Sequence, residues 1–212
     1  MRSIQALQEL IFPVRCLGCR TLGLSICSVC RRNWHPHIFT RYSKSSPSFP
    51  IYSSIQYSPI AGKVLLAAKE NSLEQADELI LDALKKSLLH CVKEHGMGIL
   101  IPIPSRHSAA RLRGRQFINE LAREIGNGAR VPTYEILTHT RAVKDQSKLD
   151  AKERLENLDG ALTSLRYRSG KAIIVDDLVT TGATLYEGAR ALRENGVEVI
   201  AAVTACVAEP LR

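Results

Sequence analysis

The chain has 212 residues, a net charge of +8 from 29 Lys and Arg against 21 Asp and Glu, and 45% hydrophobic residues. That is enough for one globular domain with a small appendage, and no apolar run approaches the ~20 residues that a membrane-spanning helix needs, so no membrane insertion is expected. The excess of cations favours polyanionic partners, either phosphorylated metabolites or nucleic acid, over neutral ones.

The first residues, MRSIQALQELIFPV, are interrupted by Gln5, Gln8 and Glu9 and lack the core of a signal peptide. A cytoplasmic protein is expected. Two CxxC pairs follow, Cys16 with Cys19 and Cys27 with Cys30. Four thiolates at this spacing suit one tetrahedral zinc site with no open position, hence a structural one. Disulfides and a redox-active CxxC are the competing readings, disfavoured by the absent export signal and by the presence of two pairs. Trp34, His35 and His37 read as connecting residues, and RYSKSSPSFP at 41–50 as a linker. The expected organisation is a knuckle over 1–40, a linker to about 50 and a main domain over 51–212.

Residues 51–57, IYSSIQY, read as a strand. A helix follows Pro59 and carries Lys69 near its end, as a surface lysine or a site residue. Ser72, with Gln75 three residues on, predicts the cap of a second helix, in which Leu73, Ala76, Ile80, Leu84, Leu88 and Cys91 recur at helical spacing. Residues 98–104, GILIPIP, are strand-like, but the prolines bar a central position throughout. The most basic stretch comes next: Ser105, Arg106, His107, Arg111, Arg113 and Arg115. As a loop at a strand end it would neutralise a pyrophosphate; the alternative is a solvated helix face. A helix over 117–125 is expected to stop at Gly126 to Gly128. Residues 131–140 read as a strand. Beyond them lie a polar loop over 141–147, suited to a lid, and a short helix with Lys152, Glu153, Arg154 and Asn157.

The densest signal is KAIIVDDLVTTGAT at 171–184. An apolar strand over 172–175 ends in Asp176 and Asp177, a hydroxyl-rich loop follows at 180–184, and a helix opens over 185–195. A strand apolar on both faces predicts a buried parallel sheet, whose ligands collect beyond the carboxyl ends of the strands. The helix N-terminus suits a phosphate, Thr180, Thr181 and Thr184 add hydroxyl donors, and Gly182 permits close backbone approach. The carboxylates accept hydrogen bonds from sugar hydroxyls or act through Mg²⁺. The pattern reads as a site for a phosphorylated sugar. A last buried strand over 196–207 places Cys206 in the core and completes a βαβ alternation.

VDDLVTTGAT resembles the motif by which type I phosphoribosyltransferases bind 5-phosphoribosyl pyrophosphate (PRPP). That resemblance implies that Asp176 and Asp177 contact the ribose hydroxyls, that Leu178 and Val179 belong to the PRPP-binding stretch, and that Thr180, Thr181, Gly182, Ala183 and Thr184 cradle the 5′-phosphate. Over nearly the whole chain the sequence is similar to the ComF family of phosphoribosyltransferase-like proteins. The likeness rests on the four cysteines, the helix around Lys69, IPIPSRHSAARLRGR, and Arg141, Gln146, Ser147, Leu149, Arg154 and Asn157. It departs where Arg115-Gln116 replaces an aromatic and an asparagine.

The resemblance implies an α/β type I phosphoribosyltransferase fold, with a mostly parallel central sheet flanked by helices and an N-terminal zinc knuckle. It implies transfer of phosphoribosyl from Mg²⁺-PRPP to a nitrogen base acceptor that the sequence does not identify. Lys69 and Arg106 would carry the leaving pyrophosphate, backed by Ser105, Arg111, Arg113 and Arg141. The family's link to DNA uptake implies a second reading: a non-catalytic component that binds single-stranded DNA or competence proteins.

Overall fold

The computed structural model describes residues 14–141, 158–165 and 170–208. The expected lid and helix, with Gln146, Ser147, Leu149, Lys152, Glu153, Arg154 and Asn157, lie outside the described residues, as does the stretch 1–13.

A five-stranded sheet organises the chain. Its strands are β1 (Phe39–Tyr42), β2 (Pro50–Gln56), β3 (Ile99–Pro102), β6 (Lys171–Val179) and β7 (Glu198–Val207), in the order β1-β2-β7-β6-β3. All pairings are parallel except β1 with β2. A second ribbon pairs β4 (Leu137–His139) with β5 (Leu162–Ser164), antiparallel. The helices are α1 (Ser28–Arg31), α2 (Pro59–Asn71), α3 (Glu74–His95), α4 (His107–Arg113), α5 (Phe117–Ala129) and α6 (Ala183–Glu194).

Strand β6 is central because both its faces are apolar. Ile173 and Val175 pack into one core with residues of α2, α3 and α5. Ala172 and Ile174 pack into a second core with Leu185, Ala189 and Leu192 of α6. Each fully buried Ile or Val contributes roughly 1.5–3 kcal/mol. Strand β3 lies at the sheet edge, where Pro102 is tolerated. That edge is partly covered, because the Leu100 N–H donates to the Pro132 carbonyl at 2.8 Å and the Tyr134 N–H donates to the Leu100 carbonyl at 2.9 Å.

Several local expectations are corrected. The stretch 41–50 is not a free linker: Arg41 and Tyr42 belong to β1, Phe49 is buried, and residues 43–49 turn the hairpin into β2. Trp34 is likewise buried in the core that contains Cys16 and Cys30. Ser72 does not cap α3. It ends α2 in the left-handed region at φ 47°, and Leu73 occupies the α3 N-cap without a side-chain bond. The actual capping hydroxyl belongs to Ser58, which accepts from the Ala61 N–H at 3.1 Å at the start of α2. Helix α5 runs through Gly126 and Gly128 to Ala129. A Cβ at Gly126 would meet Thr133 Oγ1 and, at 2.7 Å, the Val131 carbonyl, so close approach and not helix breaking explains that glycine. The strand expected over 131–140 shrinks to a bridge at Thr133 and the three residues of β4.

Candidate functional site

A cleft of about 560 Å³ opens at the carboxyl ends of β3 and β6, where a parallel sheet presents ligands. It is lined by Lys69 and Glu70 from the last turn of α2, and by Ser105, Arg106, Ala109 and Arg113 from the β3–α4 connection and α4. Asp176, Asp177, Leu178, Thr180 and Thr184 come from the end of β6 and the start of α6.

The carboxylates sit inside β6, which continues to Val179, and not beyond its end. Likewise α6 already begins at Ala183, so Ala183 and Thr184 form its first turn. Of the expected phosphate loop, Thr180 and Thr184 face the cleft, whereas Val179 and Ala183 are buried in the core. The Thr181 hydroxyl accepts from the Ala183 N–H at 3.3 Å and shapes the turn. Gly182 is the N-cap at φ 81°, and a Cβ there would lie 2.5 Å from the Tyr186 ring. Backbone conformation and space both require glycine.

Burial and charge set the two carboxyls apart. Asp177 is 5% exposed. Burial alone would raise its pKa, but Lys69, whose Nζ lies 2.5 Å from Oδ2, more than offsets this and holds it below the ordinary carboxylate range. Asp176 is pushed well above that range by burial and by the neighbouring Asp177 charge. Burial opposes the Lys69 charge as well, and the ion pair with Asp177 outweighs it and raises the lysine pKa. The pair offers oxygen acceptors to hydroxyl groups or to a divalent cation.

Arg106 and Arg113 line the cleft, and Arg113 Nη2 lies 2.6 Å from Glu70 Oε1. The expected basic loop is largely helix α4, with Arg106 at its N-cap. Arg111 is exposed and faces a separate groove with Gln116 and Asn119. Arg141 does not line the cleft; its Nη2 donates to the Asp159 carbonyl at 3.0 Å. Arg115 serves the fold, pairing with Asp77 at 2.6 Å and Glu120 at 2.9 Å and sitting over the Phe117 ring. The structure also brings in residues that the sequence did not single out. Glu70 faces the cations. His139 of β4, whose ring Nε2 lies 3.2 Å from the Pro104 carbonyl, joins Ile103, Phe117, Ile118, Leu158 and Leu162 in a largely apolar wall.

The four knuckle sulfurs, of Cys16, Cys19, Cys27 and Cys30, lie within 4.8 Å of one another. A tetrahedral zinc with ~2.3 Å bonds spaces sulfurs about 3.8 Å apart, and the Cys19 and Cys27 sulfurs are separated by 3.5 Å. The Cys27 N–H donates to Cys16 Sγ at 3.3 Å. Burial raises the Cys16 pKa, but backbone N–H groups of residues 18, 19 and 27 outweigh it and bring the thiol down to about 6; burial and the three neighbouring thiols push Cys30 up to about 12. The cluster could hold a metal ion, and its donor set is that of a zinc site.

Sheet order, cleft position and acidic strand end together define a phosphoribosyltransferase-like α/β domain, and residues 111–210 match the family model of the phosphoribosyl transferase domain. Competence protein F of Haemophilus influenzae is 32% identical over 108 residues, which are 48% of this chain and 46% of that protein. DNA utilization protein YhgH of Escherichia coli K12 is 40% identical over 67 residues, 31% of this chain and 30% of that protein. The chain thus spans less than half the length of these relatives. An adenine phosphoribosyltransferase from Saccharomyces cerevisiae is similar in structure at a TM-score of 0.40 and 12% identity, covering 81% of this chain and 83% of that one; at that level the likeness carries no argument. Residues 111–210 thus carry the phosphoribosyl transferase domain, and the matches to competence protein F and DNA utilization protein YhgH support the resemblance to the ComF family. No helix among the described residues is long and apolar enough to cross a membrane.

Proposed function

We propose that the cleft binds Mg²⁺-PRPP and transfers its phosphoribosyl group to a nitrogen acceptor. One observation carries this reading: a carboxylate pair, Asp177 buried and Asp176 half-buried, shares one cleft with a hydroxyl-bearing helix start and with three cations, Lys69, Arg106 and Arg113. Asp176 and Asp177 accept from the ribose hydroxyls and position the sugar. Thr180, Thr184 and the N-terminus of α6 hold the 5′-phosphate. The acceptor nitrogen bonds to C1 as the C1–O bond to pyrophosphate breaks, the electron pair leaves with pyrophosphate, and the nitrogen gives up a proton. Lys69, Arg106 and Arg113 stabilise the charge that grows on the leaving group. Mg²⁺, bound with PRPP near the carboxylates, supplies further charge neutralisation. In the knuckle, zinc is the proposed structural ion.

Pyrophosphate release from PRPP, assayed across a panel of purine and pyrimidine bases, tests the transfer step. Release that requires one class of base is expected. Release with no base, or with none of the panel despite PRPP binding, overturns transfer to such an acceptor. A second reading, contact with single-stranded DNA, is supported by the net charge of +8 and by the exposed Arg111, which lies outside the cleft. The relatives named for competence and DNA utilization point the same way.

A further inference from the structure

Two of the cleft cations are engaged by carboxylates of the protein itself. Lys69 holds Asp177. The next residue, Glu70, holds Arg113 of α4, with Nη2 and Oε1 2.6 Å apart. Both contacts leave the last turn of α2, and all four side chains line the same cleft. The Glu70–Arg113 pair is incompletely made. Arg113 Nε is buried with no hydrogen-bond partner among the described residues, so the guanidinium fork meets Glu70 through Nη2 while a second donor is unmet. A fork built for a permanent partner tends to be filled bidentately.

We propose that Glu70 is a stand-in for the substrate diphosphate: it holds Arg113 at the cleft in the free protein and yields it to the diphosphate of the incoming sugar. The proposal rests on the reading of the cleft as a PRPP site. A diphosphate carries more charge than a carboxylate and can engage both faces of the fork. The pair it replaces is partly exposed and weighs only a few-fold in an equilibrium. A sugar that lacks the diphosphate has nothing with which to displace Glu70. Glu70 thus tunes the affinity for ribose diphosphates alone: the diphosphate binds at the cost of breaking the Glu70–Arg113 pair, and a ribose monophosphate leaves that pair intact.

The test is calorimetric titration of Mg²⁺-PRPP, and separately of ribose 5-phosphate, into folded wild type, Glu70→Gln, Arg113→Ala and the double variant; Glu70→Ser serves as a second substitution. Glu70→Gln should tighten PRPP binding by roughly threefold to tenfold and leave ribose 5-phosphate within about twofold. The gain should vanish in the Arg113→Ala background, as expected for coupled residues. Unchanged or weaker PRPP binding by Glu70→Gln, or a gain that persists without Arg113, overturns the exchange and leaves the PRPP site standing. Absence of PRPP binding in wild type and Glu70→Gln alike sinks both.

Discussion

Stripping the proposed zinc from the four-cysteine cluster will lower the melting temperature by about 10 °C. The knuckle is not an independent appendage. Cys16, Leu17, Ile26, Cys30 and Trp34 share one core with Ala61, Val64 and Leu65 of α2, and Lys63 of the same helix donates to the Gly18 carbonyl at 2.7 Å. A Cβ at Gly18 would lie 2.6 Å from Cys30 Sγ, so the turn is closed tightly against the sulfurs. Structural zinc supplies ~10–16 kcal/mol in isolated fingers. Here the rest of the core persists without it, and a loss of about 3–5 kcal/mol is the reasonable share. At roughly 2–4 °C per kcal/mol for a chain of this size, that gives the stated shift. Scanning calorimetry with and without a chelator, beside metal analysis and Cys30→Ser, checks it. An unchanged transition in demonstrably metal-free protein would remove the structural role.

Replacing Lys69 by Met should weaken PRPP binding by about 100-fold and cost about 2–3 kcal/mol of stability at neutral pH, since it removes one partner of a largely buried pair. The pH dependence follows from the carboxylate left behind. In the wild type Lys69 holds Asp177 below its ordinary pKa of 3.8. The folded state then binds fewer protons than the unfolded one, and Asp177 adds stability above that ordinary value that is lost as pH falls through the folded value. Without Lys69, burial raises the Asp177 pKa instead. Its contribution then survives below the ordinary value and is lost as pH rises through the folded one. The variant should therefore be most deficient near neutrality and approach the wild type in acid. Denaturant titrations at several pH values measure this; a deficit that grows toward acid would show that the ion pair does not set the Asp177 charge.

Much of this site was legible in the sequence because it is local. The motif from Asp176 to Thr184 occupies consecutive residues, and burial of both faces of β6 follows from an unbroken apolar run. The edge position of β3 was readable from Pro102, since a residue without an N–H cannot sit in a central ladder. What the sequence hid depends on tertiary placement. Glu70 follows Lys69 directly, yet its meaning appears only when α4 brings Arg113 across to it. His139 sits in a three-residue strand too short to show a period, and only the ribbon with β5 brings it to the cleft. Arg111 and Arg113 are two residues apart on α4 and so face different sides, one at a separate groove and the other at the cleft. Ser72 looked like a cap by spacing, but the chain uses it to leave α2 in a left-handed turn.

The most direct measurement is a calorimetric titration of Mg²⁺-PRPP into the metal-loaded protein, beside an Asp176→Ala/Asp177→Ala variant of matched fold. Micromolar-range binding by the wild type, abolished in the variant, is the expected result. No binding by the folded wild type, or equal binding by the variant, would contradict a PRPP site at the carboxylate pair.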